Sequence, residues 1–154
     1  MRAVVQRVLG ARVEVDGEVT GEIDRGLLVY LGFGRHDTED DRAWTLGKVT
    51  SMRVFEDKTG RMNHSVTDVA GALLLVSQFT LYADLRRGRR PSFDEAMPPE
   101  HAERAYADAV REARALGVRV ETGRFRAHMT VHSMNDGPVT ILLDSGRRAA
   151  ILSR

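Results

Sequence analysis

The chain has 154 residues, 42% hydrophobic and 29% charged, which is enough for one compact core and lacks the bias of a disordered segment. It contains no cysteine, which excludes disulfide staples, thiolate nucleophiles and cysteine-based zinc sites, so any catalysis must use oxygen, nitrogen or backbone groups. The formal net charge of +1 does not mark a nucleic-acid binder by itself, and local clusters of charge carry the information instead.

The start, MRAVVQRV, is punctuated by charge and unlike a secretory apolar segment, and no run approaches the roughly eighteen apolar residues of a membrane helix. A soluble, cytosolic protein with no membrane contact is expected. Alternating Ala3, Val5, then Val8, Val13 and Val15 predict a strand over 1–15 that runs into an Asp16-Gly17 turn. A second strand is expected near Leu27 to Phe33. Asp37 or Thr38 can cap a helix that carries Trp44, Val49 and Met52 inward and ends near Arg53. The stretch from Leu73 to Leu81 is almost wholly apolar and predicts a central strand covered on both faces.

Pro98-Pro99 opens a second helix, with Ala102, Ala105, Tyr106, Ala109, Val110, Ala113 and Leu116 at helical spacing before Gly117 stops it. Three strands follow, at Val118 to Val120, Met129 to Met134 and Val139 to Leu143. The last two are separated by Asn135-Asp136-Gly137-Pro138, whose composition predicts a hairpin connection. Strands outnumber helices and repeating βαβ units never appear. The expectation is an α+β fold: a single-domain, barrel-like antiparallel or mixed β-sheet with two packed helices. The domain covers residues 1–145, and 146–154 form a C-terminal tail.

Ser77-Gln78-Phe79-Thr80 puts polar groups at the end of the most apolar strand, where burial is costly unless each is hydrogen-bonded. The run either caps the strand or offers polar groups to a pocket. In a strand Ser77 and Thr80 point to opposite faces, so joint action of their hydroxyls needs a bend, and no neighbouring base suggests a Ser-His-Asp arrangement. Arg86, Arg87, Arg89 and Arg90 crowd one short stretch with a single acid, Asp84, and Arg147, Arg148 and Arg154 add to the tail. Such arginines suit bidentate phosphate contacts or a solvated loop. His128 and His132, read as strand residues, stand about 13 Å apart, too far to share one ion. His64 is expected in a loop, His101 on an exposed helix turn, and His36 just before a cap. No metal and no cofactor is expected.

Several stretches together resemble the D-aminoacyl-tRNA deacylase family: MRAVVQRV, RVFEDKTGRMNHSV, LLLVSQFTLYADLRRGRRPSFDEAMPPEHAERAY and HMTVHSMNDGPVTILLD. The likeness runs over about residues 1–144. It is carried most specifically by Ser77-Gln78-Phe79-Thr80-Leu81 followed by Asn135-Asp136-Gly137-Pro138-Val139-Thr140. The resemblance implies an enzyme that hydrolyses the ester of D-aminoacyl-tRNA and of mischarged glycyl-tRNA, acting on the 3′-terminal adenosine and acceptor end. It implies a homodimer in which a cis Gly137-Pro138 pair reaches into the partner's active site as a chirality filter. Arg7 would help to hold that pair and Met129 would line the pocket beside it. Ser77, Gln78, Phe79 and Thr80 would form the catalytic floor, with the Phe79 backbone N–H available to an oxyanion. One departure stands out: Arg126 occupies a place where the family pattern has a glycine, which adds bulk at the pocket rim.

Two mechanisms fit these residues. Thr80 could serve as nucleophile or water-positioning group, although no base is evident to deprotonate it. Alternatively the 2′-hydroxyl of the terminal adenosine activates water, which the resemblance favours. The rival functions are a non-catalytic module that holds tRNA ends and a same-fold editing hydrolase acting on an L-aminoacyl-tRNA.

Overall fold

The computed structural model describes residues 1–148. Strand β1 (Arg2–Val15) is its spine, because it pairs on both sides along most of its length. On one side its first half pairs with β3 (Gly26–Gly32) and its second half with β2 (Glu18–Ile23), both antiparallel. Asp16 and Gly17 make the β1–β2 turn with φ of 52° and 83°, the conformation a two-residue hairpin demands. The pleat of β1 changes phase at a register shift between Val8 and Gly10. Ala3 and Val5 face one core, whereas Ala11, Val13 and Val15 face the other, since one extra residue flips every later side chain.

Helix α1 (Glu39–Ser51) crosses over, followed by a small hairpin of β4 (Phe55–Glu56) and β5 (Met62–His64). The chain then enters β6 (Ala72–Ser77), parallel to β3. Helix α2 (Pro99–Ala115) makes the second crossover into β7 (Arg119–Thr122), parallel to β6. Strand β8 (Thr130–Asp144) closes the order by pairing with the free side of β1. The sheet curls so far that a β-carbon on Gly21 of β2 would lie 2.3 Å from the Thr122 carbonyl of β7. It is therefore a nearly closed mixed barrel with two helices outside, as the α+β reading expects.

Period-2 alternation divides the sheet residues between two cores. Leu73 and Leu75 of β6 join Leu27, Val29 and Leu31 of β3 against the helices, while Leu74 and Val76 join Leu28 and Val13 in the barrel interior. Leu73, Leu74 and Leu75 are wholly buried, so this central strand is covered on both faces.

Several elements depart from the sequence reading. Thr38 caps α1 through a reciprocal box with Asp41, and the inward face carries Thr45, Leu46 and Val49. Trp44 is only half-buried, because it lies about 140° round the helix from Val49. Leu116 is 50% exposed because it sits at the C-cap of α2, past the last turn that packs. Strand β2 escapes the hydrophobic pattern since only Gly21 and Ile23 of it are buried. His64 lies in β5 rather than a loop. His128 stands before β8 begins, outside any strand. The predicted pair of strands 129–134 and 139–143 is one continuous strand. Beyond it, Arg148 donates to the Asp40 carbonyl at 3.0 Å and docks on α1, and the rest of the expected tail, 149–154, lies outside the described residues.

Candidate active site

The expected strand over 73–81 stops at Ser77, and Phe79–Tyr82 form a single 3-10 turn. The turn is pinned from several directions. Gln78 N–H donates to the Leu31 carbonyl at 2.7 Å, and the Arg2 guanidinium donates to the Leu81 carbonyl at 2.9 Å while lying 4.5 Å from the Tyr82 ring centroid. Tyr82 donates to Asp37 at 3.1 Å; burial, reinforced by the Asp37 charge, pushes its hydroxyl well above the usual range and keeps it a donor. Gly32 makes the close packing possible, because a β-carbon there would stand 2.9 Å from Leu81 and 3.0 Å from the Gln78 carbonyl. The bend that joint use of these polar residues requires is therefore present.

Beside the turn opens a cleft of about 770 Å³. Ser77, Gln78, Phe79 and Met129 line it, together with Phe93, Pro98, Ala102 and Phe125, which no local pattern in the chain marks as neighbours. Its walls are mostly apolar, as ligand clefts are. Phe79 is 58% exposed and meets Phe93 edge-on at 4.9 Å, so two aromatic rings flank the opening. Thr80 does not line this cleft. Its hydroxyl is exposed and accepts a hydrogen bond from the Gln78 amide at 2.5 Å. Among the described residues no His, Asp or Glu stands against Thr80 as a base, and no three such residues are grouped to hold a metal ion.

Gly137 and Pro138 are exposed and lie apart from the cleft of their own chain. Their segment is a wide bulge rather than a hairpin. Gln6 pairs with Thr140 and Val8 with Asn135, so Asp136, Gly137, Pro138 and Val139 all stand opposite the single residue Arg7. Gly137 has φ of 124°, which only glycine adopts readily, and its bond to Pro138 is cis. Asn135 spans the base of the bulge, accepting from the Val139 N–H and donating to the Thr140 hydroxyl, each at 3.0 Å. Arg7 holds it from beneath. This guanidinium is 5% exposed, donates to the Asp136 carbonyl at 3.2 Å and the Val54 carbonyl at 2.6 Å, and lies 3.0 Å from the Asp136 carboxylate.

A family model described as D-Tyr-tRNA(Tyr) deacylase matches residues 4–144. The chain belongs to this deacylase family. A D-aminoacyl-tRNA deacylase of Thermotoga petrophila is 57% identical over 147 residues, covering 96% of this chain and 99% of the relative. That of Symbiobacterium thermophilum is 57% identical over 145 residues, covering 94% and 96%. A solved structure described as a c-Myc DNA Unwinding Element Binding Protein superposes with a TM-score of 0.88 at 42% identity, over 94% of this chain and 98% of that one. A probable eukaryotic D-amino acid tRNA deacylase shares the fold, with a TM-score of 0.76 at 19% identity over 93% of this chain and 98% of that one. The protein is accordingly an enzyme, a hydrolase of the deacylase family.

In this deacylase the arginine cluster occupies an exposed loop closed by paired Asp84–Ser92 hydrogen bonds of 2.8 and 2.9 Å, and the chain passes from that loop to Phe93 at the cleft. Arg86 folds back on Asp84 at 2.6 Å, and the guanidinium holds that carboxyl down at about 2. Arg86 thus spends its charge within the loop, while Arg87, Arg89 and Arg90 point to solvent. Replacing these three by Ala should weaken tRNA binding for every amino acid carried. The logarithmic salt slope should fall by roughly 0.7 to 0.9 for each phosphate no longer neutralised, and Arg86→Ala should have the smallest effect. Binding isotherms at several salt concentrations check this; an unchanged slope makes the loop a solvated face.

Arg7→Ala removes a buried donor and leaves the Val54 carbonyl and Asp136 without it. Stability should fall by about 1–3 kcal/mol, read as a lower urea midpoint. Arg7→Lys should restore little, because one ammonium cannot reproduce the planar fork. An unshifted midpoint would mean that Asn135 holds the bulge alone.

Proposed function

We propose that this deacylase hydrolyses the ester joining a D-amino acid to the 3′-terminal adenosine of tRNA, releasing free amino acid and tRNA. It acts on mischarged glycyl-tRNA in the same way, removes both from translation and so keeps protein synthesis homochiral. The observation that carries this reading is a cleft of suitable size, set beside the Ser77–Thr80 turn in a chain of this family, with no side-chain base hydrogen-bonded to the Thr80 hydroxyl among the described residues.

An aminoacyl ester is already reactive, so the protein's work is orientation and charge stabilisation. Water adds to the ester carbonyl, the bond to the 3′-oxygen breaks, and that oxygen takes up a proton. The neighbouring 2′-hydroxyl of the RNA activates the water. The Phe79 N–H opens the 3-10 turn, where no carbonyl of the turn can accept it, and with no acceptor among the described residues it would support the oxyanion. Ser77 and Gln78 shape the floor, and Met129 borders the amino-acid site.

The chirality filter comes from a second copy. Gly137 and Pro138 lie outside their own cleft, and a site that uses both parts therefore needs a homodimer in which each bulge enters the partner's cleft. The exposed apolar side chains Leu142, Met134 and Leu9 along β8 and β1 suit such an interface. A tRNA substrate supports a cytoplasmic location for the enzyme. Supplied with excess D-Tyr-tRNA, the protein should release free D-Tyr over many turnovers. Tight binding with the ester left intact would make it a tRNA-end-binding module instead.

A further inference from the structure

Arg126 breaks a local rule at the rim of the cleft. The Ala127 N–H donates to the Arg124 carbonyl at 3.3 Å, closing a four-residue turn in which Arg126 takes the third place with φ of 60°. That place favours glycine, because a β-carbon in the left-handed region crowds the following carbonyl. Among the described residues two other non-glycine residues share a positive φ, Asp16 in its hairpin and Ala70, and neither lines the cleft. Strain of this kind persists where the surrounding structure enforces it and often marks a site. Nothing within the fold rewards the long side chain, which is exposed and has no ion-pair partner among the described residues.

The charge around it favours an anionic ligand. Arg35, also exposed, lines the same cleft, and Asp94 is the single acid among its described lining residues. The apolar walls suit an adenine ring and an amino-acid side chain, whereas cations at the rim suit an anion. On an aminoacyl-tRNA the anion nearest the ester is the phosphodiester on the 5′ side of the terminal adenosine.

We infer that Arg126, together with Arg35 of the same cleft lining, binds this phosphate and makes efficient turnover depend on a polynucleotide rather than on the aminoacyl nucleoside alone. The inference rests on the deacylase reading above, and two substrates separate them: D-Tyr-tRNA, and D-Tyr esterified to adenosine, which carries no phosphate. Arg126→Gly suits the turn and should raise the melting temperature. On D-Tyr-tRNA it should lower kcat/KM about tenfold, mainly through KM, and reduce the logarithmic salt slope by about 0.7. Hydrolysis of D-Tyr-adenosine should be unchanged, and Arg126→Lys should recover part of the loss on tRNA. Equal losses on both substrates would overturn the phosphate-binding role in favour of one in pocket shape. An unchanged KM and salt slope on tRNA would overturn it while leaving the deacylase standing. Failure of the wild-type protein to hydrolyse either substrate would sink both readings.

Discussion

D-Tyr-tRNA should lose its ester at least about a hundredfold faster than L-Tyr-tRNA. In the filter proposed above the discriminating element would be main chain, which can neither rotate out of the way like a side chain nor shift freely. The bulge at Gly137 and Pro138 is braced by Asn135 and by the buried Arg7, so carbonyls placed where an L side chain must go would stay there. Exclusion of this kind makes a second demand. Glycine carries only hydrogens on its α-carbon, and a pocket that rejects L side chains by bulk has nothing with which to reject it. Glycyl-tRNA should therefore be cleaved at a rate closer to the D than to the L ester. Protection of correctly charged glycyl-tRNA then has to come from outside the pocket. The measurement is ester loss from D-Tyr, glycyl and L-Ala forms on matched tRNAs. Equal rates for the two enantiomers would end the filter, and glycine surviving as well as L-Ala would show that the pocket requires a D side chain.

A substrate ending in 2′-deoxyadenosine should be hydrolysed at least about a thousandfold more slowly than its ribose counterpart, the scale on which a positioned proton-transfer group acts. Thr80→Ala, by contrast, should retain activity to within about tenfold, since the Thr80 hydroxyl is exposed and engaged only with the Gln78 amide among the described residues. The two experiments oppose each other by design. If Thr80→Ala folds and binds tRNA normally yet shows no turnover, the hydroxyl is the nucleophile or positions the water. If the deoxy substrate then reacts at the ribose rate, the RNA has no part in the chemistry. The expected pattern assigns the reactive hydroxyl to the substrate and the backbone frame to the protein. That division accounts for a hydrolase with no cysteine and, among the described residues, no base hydrogen-bonded to the hydroxyl of its polar turn.

Much of this was legible in the chain before any fold was known. The almost wholly apolar stretch from Leu73 announces a strand covered on both faces, because no polar face is left for water, although the expected end at Leu81 lies beyond the actual one at Ser77. The spacing of Tyr106, Ala109, Val110 and Ala113 announces one buried helical stripe. The family motifs at 77–81 and 135–140 point to the reaction, and the polar run after Val76 marks either a strand cap or groups offered to a pocket. Each of these signals is local, since burial phase and turn chemistry are written in neighbouring residues.

What only the tertiary structure decided depends on partners distant in sequence. Asn135 to Val139 has the composition of a hairpin turn, yet β1 pairs with β8 on both sides of it, so the chain cannot reverse and four residues bulge opposite Arg7. The cleft joins Ser77 and Phe79 to Phe93, Ala102, Phe125 and Met129, whose spacing shows no period because they come from the end of β6, the 3-10 turn, α2 and two separate connecting segments. Thr80 belongs to the conspicuous motif but falls outside that cleft, for the 3-10 turn swings it to the surface. Arg126 looks like a departure from pattern in the sequence; only the φ of its turn and its place at the rim give that departure a physical meaning. Local pattern sets which residues are buried and which elements form, whereas register between strands sets where an irregularity projects and what it meets.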